Sequence, residues 1–177
     1  YDGCVNFMKG AIECANKVTT VSQSYADEIL DPWYSHGLDS ILNERRYKLS
    51  GILNGIDVLG YDPETDKSIR ANYSAAKPED KKLNKEDLQQ VMGLPVRADV
   101  PIIGMVSRLV AHKGLDLVKH VFEEILQADV QFVILGSGEY EFEAFFDEMA
   151  RKYPEKVGLK IGFDATLAHR IYAGADI

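Results

Sequence analysis

Long apolar runs are missing: no stretch of this chain approaches the ~20 residues that a helix needs to cross a bilayer, which argues against a helical membrane span. Cysteine is scarce. Cys4 and Cys14 sit in no CxxC pair and have no histidine at zinc spacing, so they are read as buried thiols of a reducing compartment, the cytoplasm, rather than as a disulfide or a metal site. His36, His112, His120 and His169 share no ligand spacing, and each is assigned to the surface or to a satisfied core position. Basic charge is in deficit. With 20 Lys and Arg against 28 Asp and Glu, the net charge of −8 weighs against nonspecific nucleic-acid binding, which depends on a basic face that neutralises phosphates. Also absent are a basic-then-apolar signal segment, a solenoid repeat, a GxSxG nucleophile elbow and a recognisable acid and base pair. The chain opens on Tyr1 rather than Met and closes on GADI, where an apolar strand is just beginning, and it is read as an internal segment of a longer protein.

What is present is a soluble globular composition, 46% hydrophobic and 27% charged over 177 residues, enough for a substantial core. In the first part Val5, Met8, Ile12 and Ala15 recur at helical spacing, and Val18 to Val21 form a short β-branched run, so helix and then strand are expected. Ser22 is placed to cap a short helix over SQSYADEIL that Pro32 ends, and GLDSILNERRYKL is a further helical stretch leading to the Asn-Gly turn at Asn54. Residues 60–82 carry no apolar periodicity and read as an irregular surface connection.

From there a regular alternation sets in. NKEDLQQVMGL is read as a helix with Asn84 as its cap and Gly93 near its stop; PIIGMVSRL, VQFVILGSG and VGLKIGF are strands. KGLDLVKHVFEEILQ, YEFEAFFDEMARKY and DATLAHRIYAGAD are the helices between and after them. Strands apolar on both faces, alternating with amphipathic helices, predict a Rossmann-like α/β fold: a parallel sheet covered by helices on both faces.

In such sheets ligands sit beyond the carboxyl ends of the strands. Those ends are Ser107-Arg108, Gly136-Ser137-Gly138 and Gly162-Phe163-Asp164. Arg108 offers a planar fork of donors suited to phosphate oxygens, and Lys113 a compact ammonium beside a helix start that adds its own partial positive charge. On residue types alone the two are equally readable as solvated surface cations. The turn LGSGEYE imitates a dinucleotide fingerprint but puts Glu141 where the third glycine of GxGxxG belongs, and Glu139 and Glu141 would repel a pyrophosphate, so nicotinamide binding is set aside. Phe163, an aromatic in a loop, is placed either to stack on a base or simply to pack.

Taken together, VTTVSQSYADEI, KLSGILNGID, GMVSRLVAHKGLDL, LGSGEYEFE and IGFDATLAHRIYAGADI resemble the bacterial glycogen synthase and starch synthase family, retaining glycosyltransferases of the two-Rossmann-domain (GT-B) type. The resemblance covers nearly the whole chain outside residues 60–100. It implies transfer of glucose from ADP-glucose to an α-1,4-glucan, without a metal or other cofactor and without nucleic-acid or membrane partners. It further implies that Arg108 and Lys113 hold the nucleotide diphosphate and that Phe163 lies against the adenine. Ser107, Gly136 and Gly138 then belong to the nucleotide-sugar site, the glycines near the nucleoside, and Asn54 lies in the cleft near sugar and acceptor, although a plain Asn-Gly turn accounts for Asn54 equally well. Residues 1–52 would close the acceptor-side domain, and residues 53–177 would be the linker and the first part of the nucleotide-sugar-binding domain. The family's donor-binding Lys loop, its cleft His and its acidic residue past AGADI fall outside these residues, so the segment alone is expected to be inactive, with a sheet edge left open where the next strand pairs. ADP rather than UDP is inferred from the bacterial character of the motifs, not from any residue's chemistry. Alternatives are another retaining sugar-nucleotide transferase of the GT-B type, or a noncatalytic nucleotide- or glucan-binding module.

Overall fold

The strand residues Phe132, Val133, Ile134 and Leu135 are all buried, as expected for a strand covered on both sides, and the second part of the chain is built around them. The computed structural model describes residues 3–177. It divides into two units, Tyr1–Asp57 and Val58–Ile177.

In the first unit Asn6 caps helix α1 (Phe7–Cys14), accepting the Lys9 N–H at 3.0 Å. Val5 therefore lies outside the helix, and both it and Met8 are exposed; of the expected apolar face Ile12 is the buried member. Strand β1 (Val18–Thr20) follows, and then α2 (Gln23–Glu28), capped as expected by Ser22, whose hydroxyl accepts the Tyr25 N–H. Helix α2 ends at Glu28, with Ile29 as its C-cap, before Pro32 is reached. The next stretch breaks into α3 (Asp39–Glu44) and a 3₁₀ turn (Arg46–Lys48), and β2 (Leu49–Gly51) pairs in parallel with β1. Cys4 and Cys14 are exposed rather than buried, because the core of this unit is confined to Ile12, Ile41, Leu42 and their half-buried neighbours.

The second unit opens irregularly over residues 60–77, as expected, but residues 78–80 form a 3₁₀ turn and 81–82 already belong to the following helix, and the irregular part is tied down. Asp66 accepts from His169 Nδ1 at 2.6 Å, and the imidazole stacks on Tyr61 with ring centroids 4.4 Å apart. Helix α4 (Lys81–Val91) starts earlier than expected, and Asn84 is inside it, buried. The reason is tertiary: the Asn84 amide accepts the Ala71 N–H at 3.0 Å and donates to the Ala71 carbonyl at 2.7 Å, satisfying both backbone groups of one linker residue.

The sheet holds β3 (Ile102–Val106), β4 (Gln131–Gly136) and β5 (Val157–Ile161), all parallel in the order β3-β4-β5. Helices α5 (Leu115–Ile125) and α6 (Tyr140–Lys152) link them; α7 (Ala165–Gly174) follows β5, capped by Asp164. Because side chains alternate across a strand, Phe132 and Ile134 pack with Phe122, Phe142 and Phe146 of α5 and α6, whereas Val133 and Leu135 pack with Leu88 of α4 and with Leu167 and Ile171 of α7. Truncating Phe122 or Phe146 to Ala would cost about 3–5 kcal/mol. A buried polar link joins the layers: Gln89 Nε2 donates to Gln131 Oε1 at 2.7 Å, and Gln131 Nε2 donates to the Pro95 carbonyl at 2.8 Å. Beyond α7 the chain turns onto the free edge of β3, where Gly104 N–H donates to the Ile177 carbonyl at 2.9 Å, so strand pairing begins at the expected place. Among the described residues, no helix is long and apolar enough to cross a membrane.

The loops after β3 and β4 touch backbone to backbone. Leu109 N–H donates to the Ser137 carbonyl and Glu139 N–H to the Leu109 carbonyl. A Cβ on Gly136 would overlap the Ser107 carbonyl oxygen, and one on Gly138 the Leu109 carbonyl oxygen, so glycine is required at both positions by this approach.

Two outcomes follow for stability. Gly138→Ala must separate the two loops, and a loss of about 2 kcal/mol or more is expected in chemical denaturation. The Asp66 carboxyl is pushed up by burial, but hydrogen bonds from His169 and Ser68 outweigh this and hold it below its ordinary value. A carboxylate with a lowered folded pKa contributes stability that is present above its unfolded pKa, about 3.9, and lost as the pH falls through the folded value. Asp66→Asn is expected to lose about 1–3 kcal/mol at neutral pH and to show a flatter decline on acidification; urea titrations at neutral and acidic pH check both.

Candidate functional site

Each βα turn carries side chains to the same end of the sheet. The chain leaves β3 at Ser107, exposes Arg108, and then buries Leu109 completely, so the neighbouring backbone is anchored while the guanidinium faces solvent. A 3₁₀ turn (Ala111–Lys113) follows, and Gly114, at φ 73°, makes the left-handed step that starts α5, a conformation that favours glycine. Lys113 is thus exposed on the residue before that step, not within the first turn of α5.

Between these turns lies a hollow of about 170 Å³ at the carboxyl ends of all three strands, walled by Ser107 and Arg108 on one side, Gly136 and Ser137 in the middle, and Gly162, Phe163 and Asp164 on the other. Val106, Leu135 and Ala168 make its floor largely apolar. Phe163 is 94% exposed, with its ring free to meet a ligand rather than packed into the core. Gly138 lies just outside, paired with Leu109. Ser107, Arg108, Gly136 and Phe163 are therefore brought together, and Lys113 stands on the adjoining turn. Asn54 belongs to the first unit, where it is exposed. The wall residues Ser137, Gly162 and Asp164 belong to the strand ends expected to meet a ligand, although the sequence assigned them no individual role there; Asp164 also caps the helix that follows.

The cations of the chain are unevenly satisfied. Arg45, Arg97, Arg151 and Arg170 each pair with a carboxylate, as do Lys85, Lys119 and Lys152. Lys48, Lys81 and Lys156 each donate to two backbone carbonyls at the ends of α1, α7 and α5. Burial pushes the Lys81 ammonium below its ordinary pKa. Among the described residues neither Arg108 nor Lys113 forms an ion pair, even in a chain with an excess of carboxylates. Unneutralised cations beside a hollow in an acidic protein are placed to receive an anion from outside.

The turn after β4 is chemically different. Glu143 of α6 accepts the Gly138 N–H at 2.7 Å, and Glu141 pairs with Lys119. A carboxylate thus occupies the N–H of the glycine that a dinucleotide fingerprint would turn toward its pyrophosphate. A second hollow, about 340 Å³, opens at the β5 edge beside Val91, Met92, Lys160 and Arg170. Arg170 is engaged there with Asp87 and the Ser68 carbonyl, and although the two hollows share Asp164, neither Arg108 nor Lys113 lines this one. No cluster of metal-ligating side chains occurs among the described residues.

The chain is similar to known proteins in sequence and in fold. Residues 1–44 match the family described as starch synthase catalytic domain, and residues 89–177, half of the chain, match the family described as glycosyl transferases group 1. The chain is 51% identical over 175 residues to a glycogen synthase of Desulforamulus reducens and 53% identical to one of Geobacillus stearothermophilus, covering 99% of this chain and 36% of each relative. It thus spans about a third of the length of the curated relatives that it matches. Among solved structures, the catalytic domain of starch synthase IV from Arabidopsis thaliana bound to ADP and acarbose superposes with a TM-score of 0.90 at 37% identity, over 98% of this chain and 36% of that one. Anabaena Alr3699/HepE in complex with UDP, 17% identical with a TM-score of 0.54 over 94% of this chain and 38% of that one, shares the fold alone. With the parallel sheet, its two helical layers and the strand-end hollow, these matches show that the chain belongs to the group 1 glycosyl transferases and has the α/β fold of the GT-B type.

Proposed function

We propose that this chain carries the diphosphate-holding part of the donor site of a retaining glycosyltransferase that elongates α-1,4-glucan with glucose from ADP-glucose. The observation that carries the reading is a pair of cations with no carboxylate partner, Arg108 in the wall of the hollow at the strand ends and Lys113 on the turn that follows. The relatives support the substrate classes: glycogen synthases in sequence, and in structure a starch synthase bound to ADP and acarbose.

In this reading the base of ADP stacks on Phe163, the nucleoside runs past Gly136 and Gly138, and the diphosphate meets Arg108 with Ser107 beside it. Asn54 contributes on the side of the sugar and acceptor. As the bond from the glucosyl carbon to the diphosphate oxygen breaks, negative charge accumulates on the leaving group. A guanidinium fork binds two phosphate oxygens at once and an ammonium adds a point charge. Both interactions strengthen as charge develops, so they stabilise the transition state more than the bound donor. Helix α5 begins directly after Lys113 and adds its N-terminal partial charge to the same side. The chain's own cations supply this stabilisation, and no step of the reading calls on a metal or other cofactor. The exposed thiol of Cys14 is in keeping with a reducing cytoplasm.

Arg108→Ala and Lys113→Ala, each made in the full-length protein, are expected to lower turnover with ADP-glucose on the order of 10²-fold or more, the scale of losing one donor to a developing charge. Incorporation of labelled glucose into glycogen measures this, with UDP-glucose run in parallel. Unchanged turnover in both variants would overturn the assignment of the two cations.

A further inference from the structure

Resting on that reading, we propose that His112 is a positioning residue of the donor site: its neutral imidazole accepts a hydrogen bond from Arg108 and aims the guanidinium at the leaving diphosphate without neutralising it. Among the described residues, the Arg108 side chain has one hydrogen-bonding side-chain neighbour, His112, with Nη2 and Nε2 3.5 Å apart. A guanidinium is always a donor, so the imidazole accepts through Nε2 and carries its own proton on Nδ1.

The need for such a partner follows from the way Arg108 is mounted. Its backbone is held on both sides, before it by the Ser107 N–H that donates to the Leu135 carbonyl at 3.1 Å, and after it by the buried Leu109 and by the Val110 N–H that donates to the Arg108 carbonyl at 3.1 Å. The side chain itself is exposed and long, and ordering a free Arg costs rotamer entropy that must be met when the donor binds. Other arginines in this chain are ordered by carboxylates: Arg45 by Glu13, Arg97 by Asp129 and Asp99, Arg151 by Asp147. A carboxylate at position 112 would order Arg108 as well, but it would cancel the charge that the diphosphate needs. An uncharged acceptor does the first without the second. One guanidinium N–H is engaged in this way, and the remaining donors of the fork stay available for phosphate oxygens. His112 sits in the 3₁₀ turn next to Lys113, so the same short segment sets both cations.

The test uses the full-length protein with His112 replaced by Ala, Gln or Glu. His112→Ala is expected to lower kcat with ADP-glucose about 5- to 20-fold and to weaken ADP binding in calorimetry by a similar factor, with no change in thermal midpoint. His112→Gln, whose amide oxygen supplies a neutral acceptor, is expected to recover to within about 2-fold of the native protein. His112→Glu, which orders Arg108 but neutralises it, is expected to bind ADP more weakly than His112→Ala. The inference is overturned if Ala and native behave alike, if Gln is as impaired as Ala, or if Glu binds ADP no worse than Ala. ADP calorimetry separates this from the parent reading: a native protein that binds ADP through Arg108 but transfers no glucose to glucan overturns the proposed reaction and leaves the binding comparison decisive for His112. A native protein that binds no ADP overturns both.

Discussion

The contact on which the site depends is between two backbones. Leu109 lies between the carbonyl of Ser137 and the N–H of Glu139, bonded to both, and the loops after β3 and β4 are thereby joined into one surface. The approach is closer than any side chain permits, so glycine stands at positions 136 and 138. From this the rest of the site follows. With Leu109 fully buried, Arg108 has a fixed root at the mouth of the hollow. With the β4 turn held down, Glu143 reaches the Gly138 N–H and accepts from it. The glycines that the sequence comparison with nucleotide-binding motifs brings to notice thus have a packing role that requires no ligand.

Around this point the cations are sorted by task. Lys48, Lys81 and Lys156 come from distant parts of the chain to the carboxyl ends of α1, α7 and α5, where unpaired carbonyls and the helix dipole favour positive charge. Most of the other arginines and several lysines hold surface carboxylates, pairs that contribute little to stability individually. Arg108 and Lys113 do neither. They combine the lack of a carboxylate partner with a place on the turn after β3, a property of the folded surface rather than of residue type.

Much of the architecture was legible. The doubly apolar run Phe132 to Leu135 announces a strand covered on both sides, and the spacing of Phe142, Phe146 and Met149 announces the helix over it, because period and burial are local consequences of backbone geometry. Ser22 and Asp164 were readable as caps for the same reason, a short polar side chain immediately before a helix. Asn84 shows the limit. It has the composition of a cap, yet it lies inside α4 and bonds both backbone groups of Ala71, a residue whose approach no local pattern predicts. In α1 the apolar spacing of Val5 and Met8 suggested burial that this small core does not provide.

The amino-acid sequence by itself determined the order and kind of the elements in the sheet unit, the strand ends at which a ligand can sit, and Arg108 with Lys113 as the cations there; each depends on residues within a few positions of one another. Only the tertiary structure decided that Ser107, Arg108, Gly136 and Phe163 wall one hollow, that Glu143 accepts the Gly138 N–H of the neighbouring turn, and that His112 stands next to Arg108 while His169 is held by Asp66. The physical reason is that hydrogen bonds and charge are settled by distance in space. The loops of β3 and β4 are about 30 residues apart along the chain, and they become neighbours only when parallel pairing lays one strand beside the other.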